Sequence, residues 1–161
     1  MFVHMDGARI ANAVAALNGK IKDAVRGVDV LSFGGTKNGI MFGEAVVFFN
    51  KKLAENFCFN RKQKMQLSSK MRFIAAQFDA LLSDNLWLKN AEHSNRMAQA
   101  LLKKVKTISN AEVVQPVDAN AVFVRLLNTT IKKLAKNFRF YVWEVYPGGK
   151  TSVVRLMTSF D

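Results

Sequence analysis

Apolar and polar positions along this chain follow two periods, and the changes of period mark its elements. Phe2 to Met5 is a short apolar run that reads as a strand. Ala8 to Leu17 is helical, with Ile10, Val14 and Leu17 at spacings of four and three, and Asn18-Gly19 closes it. Ile21 to Arg26 makes a short helix before Gly27. Val28 to Phe33 reads as a buried strand leading into Gly34-Gly35, and Glu44 to Phe49 as a further strand. Strands alternating with helices predict a mostly parallel sheet covered by helices.

The period then settles at 3.6. One long helix is predicted from about Arg61 to Leu82, where Leu67, Met71, Ile74, Phe78 and Leu81 share a face. Ser83-Asp84-Asn85 breaks it, with Asp84 or Asn85 available to cap the next helix, Leu86 to Ile108. There Met97, Leu101 and Val105 recur every four residues, and the methionines read as core. Ala111 to Gln115 and Ala121 to Leu126 read as strands and Thr130 to Asn137 as a helix. Phe140 to Tyr146 and Ser152 to Thr158 form a hairpin around Pro147-Gly148-Gly149. The tail is thus an α+β unit with an antiparallel sheet. A boundary near residue 83 divides the chain into parts 1–83 and 84–161.

Composition narrows the picture. The 161 residues suit an ordinary domain, and half of them are apolar. The single cysteine, Cys58, excludes an internal disulfide and a Cys-based zinc site, and its place between Phe57 and Phe59 predicts a buried thiol. No run approaches the ~18 apolar residues of a membrane span. Sparse cysteine use and the lack of a signal-peptide pattern predict a cytoplasmic protein. The chain opens directly on a strand, which suggests a missing upstream part. The net charge of +12 raises the prospect of a polyanionic partner. Its basic residues are dispersed, however, and no nucleic-acid motif accompanies them.

The candidate chemistry lies in two segments, His4-Met5-Asp6-Gly7-Ala8-Arg9 and Ser32-Phe33-Gly34-Gly35-Thr36-Lys37-Asn38-Gly39. Each follows an apolar run. The first ends in a carboxylate before a helix, where a helix N-cap is the ordinary role. The second holds a lysine in a glycine-rich turn, where the ordinary role is a solvated charge. Together they suit a pyridoxal phosphate site. Asp6 can pair with the pyridine nitrogen and Lys37 can form an imine with the aldehyde. Gly34 and Gly35 would permit the backbone conformations that place the lysine. Arg9, three residues after Asp6 and nearly one helical turn on, can reach the same pocket. Arg155 sits on an apolar strand and therefore needs a partner, for which a structural salt bridge is the ordinary candidate. Ser32 and Thr36 can donate hydrogen bonds near a phosphate. His4 reads as structural, His93 as exposed, and no residues suggest a metal site.

These segments, with Arg61-Lys62-Gln63 and Val154-Arg155-Leu156-Met157-Thr158-Ser159, resemble the low-specificity threonine aldolases in order and spacing. The resemblance covers the C-terminal half of such an enzyme. It implies an α/β fold of the aspartate-aminotransferase-like kind (fold type I). Part of the large-domain sheet would be followed by a small C-terminal α+β domain. It implies pyridoxal phosphate as cofactor, with Lys37 and Asp6 as catalytic residues. Arg9, Thr36 and Ser32 would join them in cofactor binding, and Arg155, Arg9 and Lys62 would bind substrate, Arg155 clamping its α-carboxylate. A phosphate loop, a ring-stacking histidine and the base would lie upstream.

The implied reaction is aldol cleavage of threonine, or a related β-hydroxy-α-amino acid, to glycine and an aldehyde. The implied state is a dimer or tetramer acting on a small amino acid, with no nucleic acid or membrane as partner. β-Elimination or transamination on the same scaffold remain open, as does a truncated, non-catalytic product or a basic binding module. Half a sheet would leave strand edges and apolar faces uncovered, which predicts aggregation or dependence on a partner.

Overall fold

Strand alternation at the N-terminus puts Met5 and Gly7 on one side and His4 and Asp6 on the other, and the first sheet follows that division. The computed structural model describes residues 1–161 and falls into two compact units. One comprises Met1–Ala91 and Phe160, the other Glu92–Ser159 and Asp161.

In the first unit, β1 (His4–Gly7) and β2 (Val30–Gly34) pair in parallel, with Asp6 opposite Ser32. They are joined through α1 (Ile10–Ala16) and α2 (Ile21–Ala24). β3 (Glu44–Phe48) lies on the other side of β2 and runs antiparallel, so the sheet is mixed where a mostly parallel one was expected. The cause is the connection. Between β2 and β3 there is a single 3₁₀ turn, Thr36–Asn38, whereas a parallel crossover needs about a dozen residues or more.

Leu31 and Phe33 turn inward with Ile10 and Val14 to form the core of this unit, against which Phe78, Trp87 and Leu88 pack. Phe33 meets Phe78 and Trp87 at ring separations of 6.4 and 6.3 Å, within the range of favourable tilted aromatic pairs. The opposite face carries His4, Asp6, Ser32, Glu44 and Val46, none of them buried.

The long helix predicted from Arg61 to Leu82 is two helices, α3 (Phe57–Gln63) and α4 (Met71–Leu82). Met65 adopts φ +55°. The Met65 amide donates to the Lys62 carbonyl at 3.0 Å and the Gln66 amide to the Arg61 carbonyl at 2.9 Å. This paired closure ends a helix through a left-handed residue, a conformation the apolar periodicity does not reveal. Cys58, expected to be buried, is exposed, because α3 buries none of its residues. The break at Ser83–Asn85 occurs as expected, with Asp84 and Asn85 both at positive φ.

The helix α5 (Leu86–Val105) buries Ala91, Ser94, Ala98 and Val105, whereas Met97 is exposed. Small residues rather than methionine therefore face the core. In the second unit the sheet order is β4 (Glu112–Val113), β5 (Ala121–Leu127), β7 (Thr151–Met157) and β6 (Tyr141–Val145), with every pairing antiparallel. Val122, Val124, Leu126 and Val154 on one face pack with Ala98, Val105 and Ile131, the last from α6 (Asn128–Leu134). The β6–β7 hairpin turns at Pro147-Gly148-Gly149, where Gly148 supplies φ +73°. No helix is long and apolar enough to cross a membrane.

Candidate functional site

Asp6 and Ser32 are direct register partners on the open face of the first sheet. His4 shares that face through the strand alternation, and its Nε2 lies 3.0 Å from the Ser32 hydroxyl. The Asp6 carboxylate is exposed, and its Oδ1 accepts the Ala8 amide at 3.0 Å. It thus makes a local turn bond where β1 gives way to α1, and does not cap that helix, whose N-cap is Arg9. β1 extends through Gly7, so Asp6 and Arg9 do not share a helix and the helical spacing expected between them does not apply. Arg9 is half-buried and stands immediately before α1.

Lys37 leaves the same end of the parallel pair. Asp6 is near the carboxyl end of β1, and the Lys37 turn follows the carboxyl end of β2, the edge at which open α/β sheets bind ligands. Two contacts fix that turn from beneath. The buried Asn38 donates from Nδ2 to the Trp87 carbonyl at 2.8 Å, and its own carbonyl accepts from Asn90 Nδ2 at 2.9 Å. Gly39 then takes φ +120°, which a residue with a side chain rarely adopts.

Gly35 has φ −103° and ψ −24°, so its value is not the conformational freedom expected of it. A β-carbon there would stand 2.5 Å from Ile40 Cδ1, and close packing is what excludes one. Thr36 and Lys37 are exposed at the top of this anchored turn, and Lys37 belongs to neither the Arg26–Asp23 nor the Arg125–Glu112 salt bridge.

Of the basic pair on α3, Lys62 is exposed, whereas Arg61 is half-buried with its Nε enclosed and without an acceptor. Arg61 lines a recess of about 880 Å³ together with Phe42, Glu44, Phe57, Gln66 and Met71. Nothing in the local pattern separates these two neighbours; only the helix phase does.

Arg155 belongs to the second unit. It has no carboxylate partner. Its guanidinium stacks over Tyr141 at 5.0 Å and Trp143 at 4.8 Å, so aromatic faces stand where a structural salt bridge would be the ordinary partner. These rings were not anticipated from the sequence, although their alternate positions on a strand opposite Arg155 were visible. His93 is half-buried rather than exposed. No cluster of three or more His, Cys, Asp or Glu side chains is placed to hold a metal ion.

The chain is similar to known proteins. The family model described as beta-eliminating lyase matches residues 1–129. The chain is 45% identical to the low-specificity L-threonine aldolase of Pseudomonas sp. strain NCIMB 10558, over 99% of this chain and 45% of the relative. It is 44% identical to the enzyme of the same description from Pseudomonas aeruginosa, over 100% of this chain and 46% of the relative. A solved Leishmania major threonine aldolase superposes with a TM-score of 0.89 at 33% identity, covering 99% of this chain and 47% of that one. The chain thus spans about half the length of the curated relatives it matches. Its architecture is that of a fold type I enzyme, present in part. With the family match extending across both motifs and most of its length, the chain belongs to the beta-eliminating lyase family.

Proposed function

We propose that this chain forms part of a pyridoxal phosphate-dependent lyase that cleaves threonine, or a related β-hydroxy-α-amino acid, to glycine and an aldehyde. The observation that carries the reading is the placement of Asp6 and the Lys37 turn at one end of the same parallel strand pair, on a chain about 45% identical to threonine aldolases. The donor set fits the cofactor. One exposed carboxylate can meet a protonated ring nitrogen, one primary amine can hold the aldehyde carbon, and the Ser32 and Thr36 hydroxyls can serve oxygen acceptors.

When bound, pyridoxal phosphate supplies an electron sink for the charge left at the substrate Cα as the Cα–Cβ bond breaks. The chain's own residues bind and orient. Asp6 holds a proton on the ring nitrogen through a charge-assisted hydrogen bond. The Lys37 amine would hold the cofactor's aldehyde carbon and would become a free amine when the substrate's amino group takes its place. Arg155 takes the substrate carboxylate, with Arg9 and Lys62 as further substrate contacts. The base for the β-hydroxyl proton belongs to the part of the enzyme outside these residues. The whole enzyme is a cytoplasmic homo-oligomer in this reading, and residues 1–83 and 84–161 contribute to its large and small domains.

The test adds pyridoxal phosphate to the full chain, reduces with borohydride and maps the label by peptide mass. Label on Lys37, lost in Lys37→Ala, is expected. Label on other lysines only, or none, overturns the assignment. In the whole enzyme, glycine and acetaldehyde from threonine support aldol cleavage, whereas pyruvate and ammonia would assign β-elimination.

A further inference from the structure

The β6–β7 register shifts at Trp143. Tyr141 and Val142 pair with Arg155 and Val154, but Glu144 pairs with Val153, so one residue, Trp143, is extra on its strand. A bulge of this kind bends the strand locally, while Trp143 keeps the side it shares with Tyr141 two residues before it. Here the indole lies with Tyr141 against the Arg155 guanidinium, at 4.8 and 5.0 Å. Phe123, the register partner of Arg155 on β5, braces the indole edge-on at 5.3 Å and 72°. Arg155 Nε is enclosed without a hydrogen-bond partner. A buried guanidinium nitrogen without an acceptor is costly unless the surroundings compensate, and two ring faces do so.

Neither ring is there for the core. Tyr141 is 68% exposed and Trp143 53% exposed, on the sheet face opposite the packed helices. An unpaired arginine held flat against two exposed rings is a side chain with its orientation settled before any anion arrives. Such preorganisation reduces the conformational entropy lost when a planar carboxylate is received.

We infer that Trp143 and Tyr141 are positioning residues that hold the Arg155 guanidinium in the orientation that receives the substrate α-carboxylate, a role that rests on the reading of Arg155 given above. Neither ring touches the reacting atoms; each acts through Arg155.

The experiment uses the full chain with pyridoxal phosphate supplied and measures calorimetric binding of threonine and of threoninamide, which lacks the carboxylate. Trp143→Leu should weaken threonine about tenfold and leave threoninamide within about twofold, with Trp143→Phe restoring most of the loss. Tyr141→Leu, which leaves the bulge residue intact, should show the same selective loss and covers the case in which Trp143→Leu folds poorly. Arg155→Ala is the reference. If it weakens threonine but neither aromatic variant does, the positioning role is overturned and the clamp stands. If Arg155→Ala leaves threonine unaffected, or the unsubstituted chain binds no threonine, the clamp itself falls and the positioning role with it. Equal weakening of threonine and threoninamide by the aromatic variants would also overturn it, as general structural damage.

Discussion

Gly34, the last residue of β2, lies so close to Ala8 that a β-carbon on it would stand 2.8 Å from the Ala8 Cα. This approach ties the two motifs together, because Ala8 follows the Asp6 strand and Gly34 begins the turn that carries Lys37. The neighbour is backbone and cannot swing aside. Gly34→Ala should therefore destabilise the chain by about 1–3 kcal/mol, the usual cost of overpacking. The urea midpoint should fall. An unchanged midpoint would mean that β1 and β2 can separate freely at this end.

Asn38 supports the lysine turn from below. Asn38→Ala removes the side-chain bond to the Trp87 carbonyl, a loss of about 0.5–1.5 kcal/mol. Asn90→Ala removes the donor to the Asn38 carbonyl on the same turn. Each variant should speed amide exchange at Asn38 and Ile40, whose amides both donate to Gly35. Since both act on one turn, the double variant should cost less than the sum of the two. Full additivity would show that the two amides hold independent features.

The strands and the small helices of the first motif were legible in the sequence, because alternation and a 3.6 period decide what one face buries. Asp6 and Lys37 were legible for another reason: each follows an apolar run and sits where a strand ends. What escaped is geometry that no period encodes. The left-handed Met65 divides a continuous apolar stripe into two helices. Ala98 replaces Met97 in the core because the helix phase favours the small residue. The bulge at Trp143 and the phase that separates Arg61 from Lys62 are offsets of one residue, below the resolution of a hydrophobic pattern.

Asp161 carries a pH dependence of known sign. A hydrogen bond from Ser159 holds its carboxyl below the usual carboxylate range, with smaller contributions from a backbone hydrogen bond and from the nearby His93 charge. A folded value below the unfolded one means that its stabilisation is present above the unfolded value, near ~4, and is lost as pH falls through the folded one. Carbon-detected NMR titration should place its midpoint below that of an unstructured aspartate, and Ser159→Ala should raise it. A midpoint unmoved by that substitution would remove Ser159 as the cause.

Cys58 should react in the native chain. It is exposed on α3, between two phenylalanines whose presence suggests burial. A maleimide should label it at the rate of a small model thiol, with no change in rate on adding denaturant below the unfolding transition. Labelling that awaits unfolding would show that α3 is covered by further structure in the assembled protein.

Met65 offers a stabilising change. Its backbone sits at φ +55°, which costs a residue with a β-carbon about 1 kcal/mol or more. Its side chain is 89% exposed and has little packing to lose. The two closing hydrogen bonds, from Met65 to Lys62 and from Gln66 to Arg61, involve backbone only and would survive any substitution that keeps the turn. Met65→Gly removes the strain and gives back part of it through the freer unfolded chain. The net gain should be about 0.5 kcal/mol and appear as a higher urea midpoint with unchanged slope. Met65→Val, β-branched at the same φ, should move the midpoint the other way. If both variants lower it, the left-handed turn between α3 and α4 is not the resting conformation of this segment.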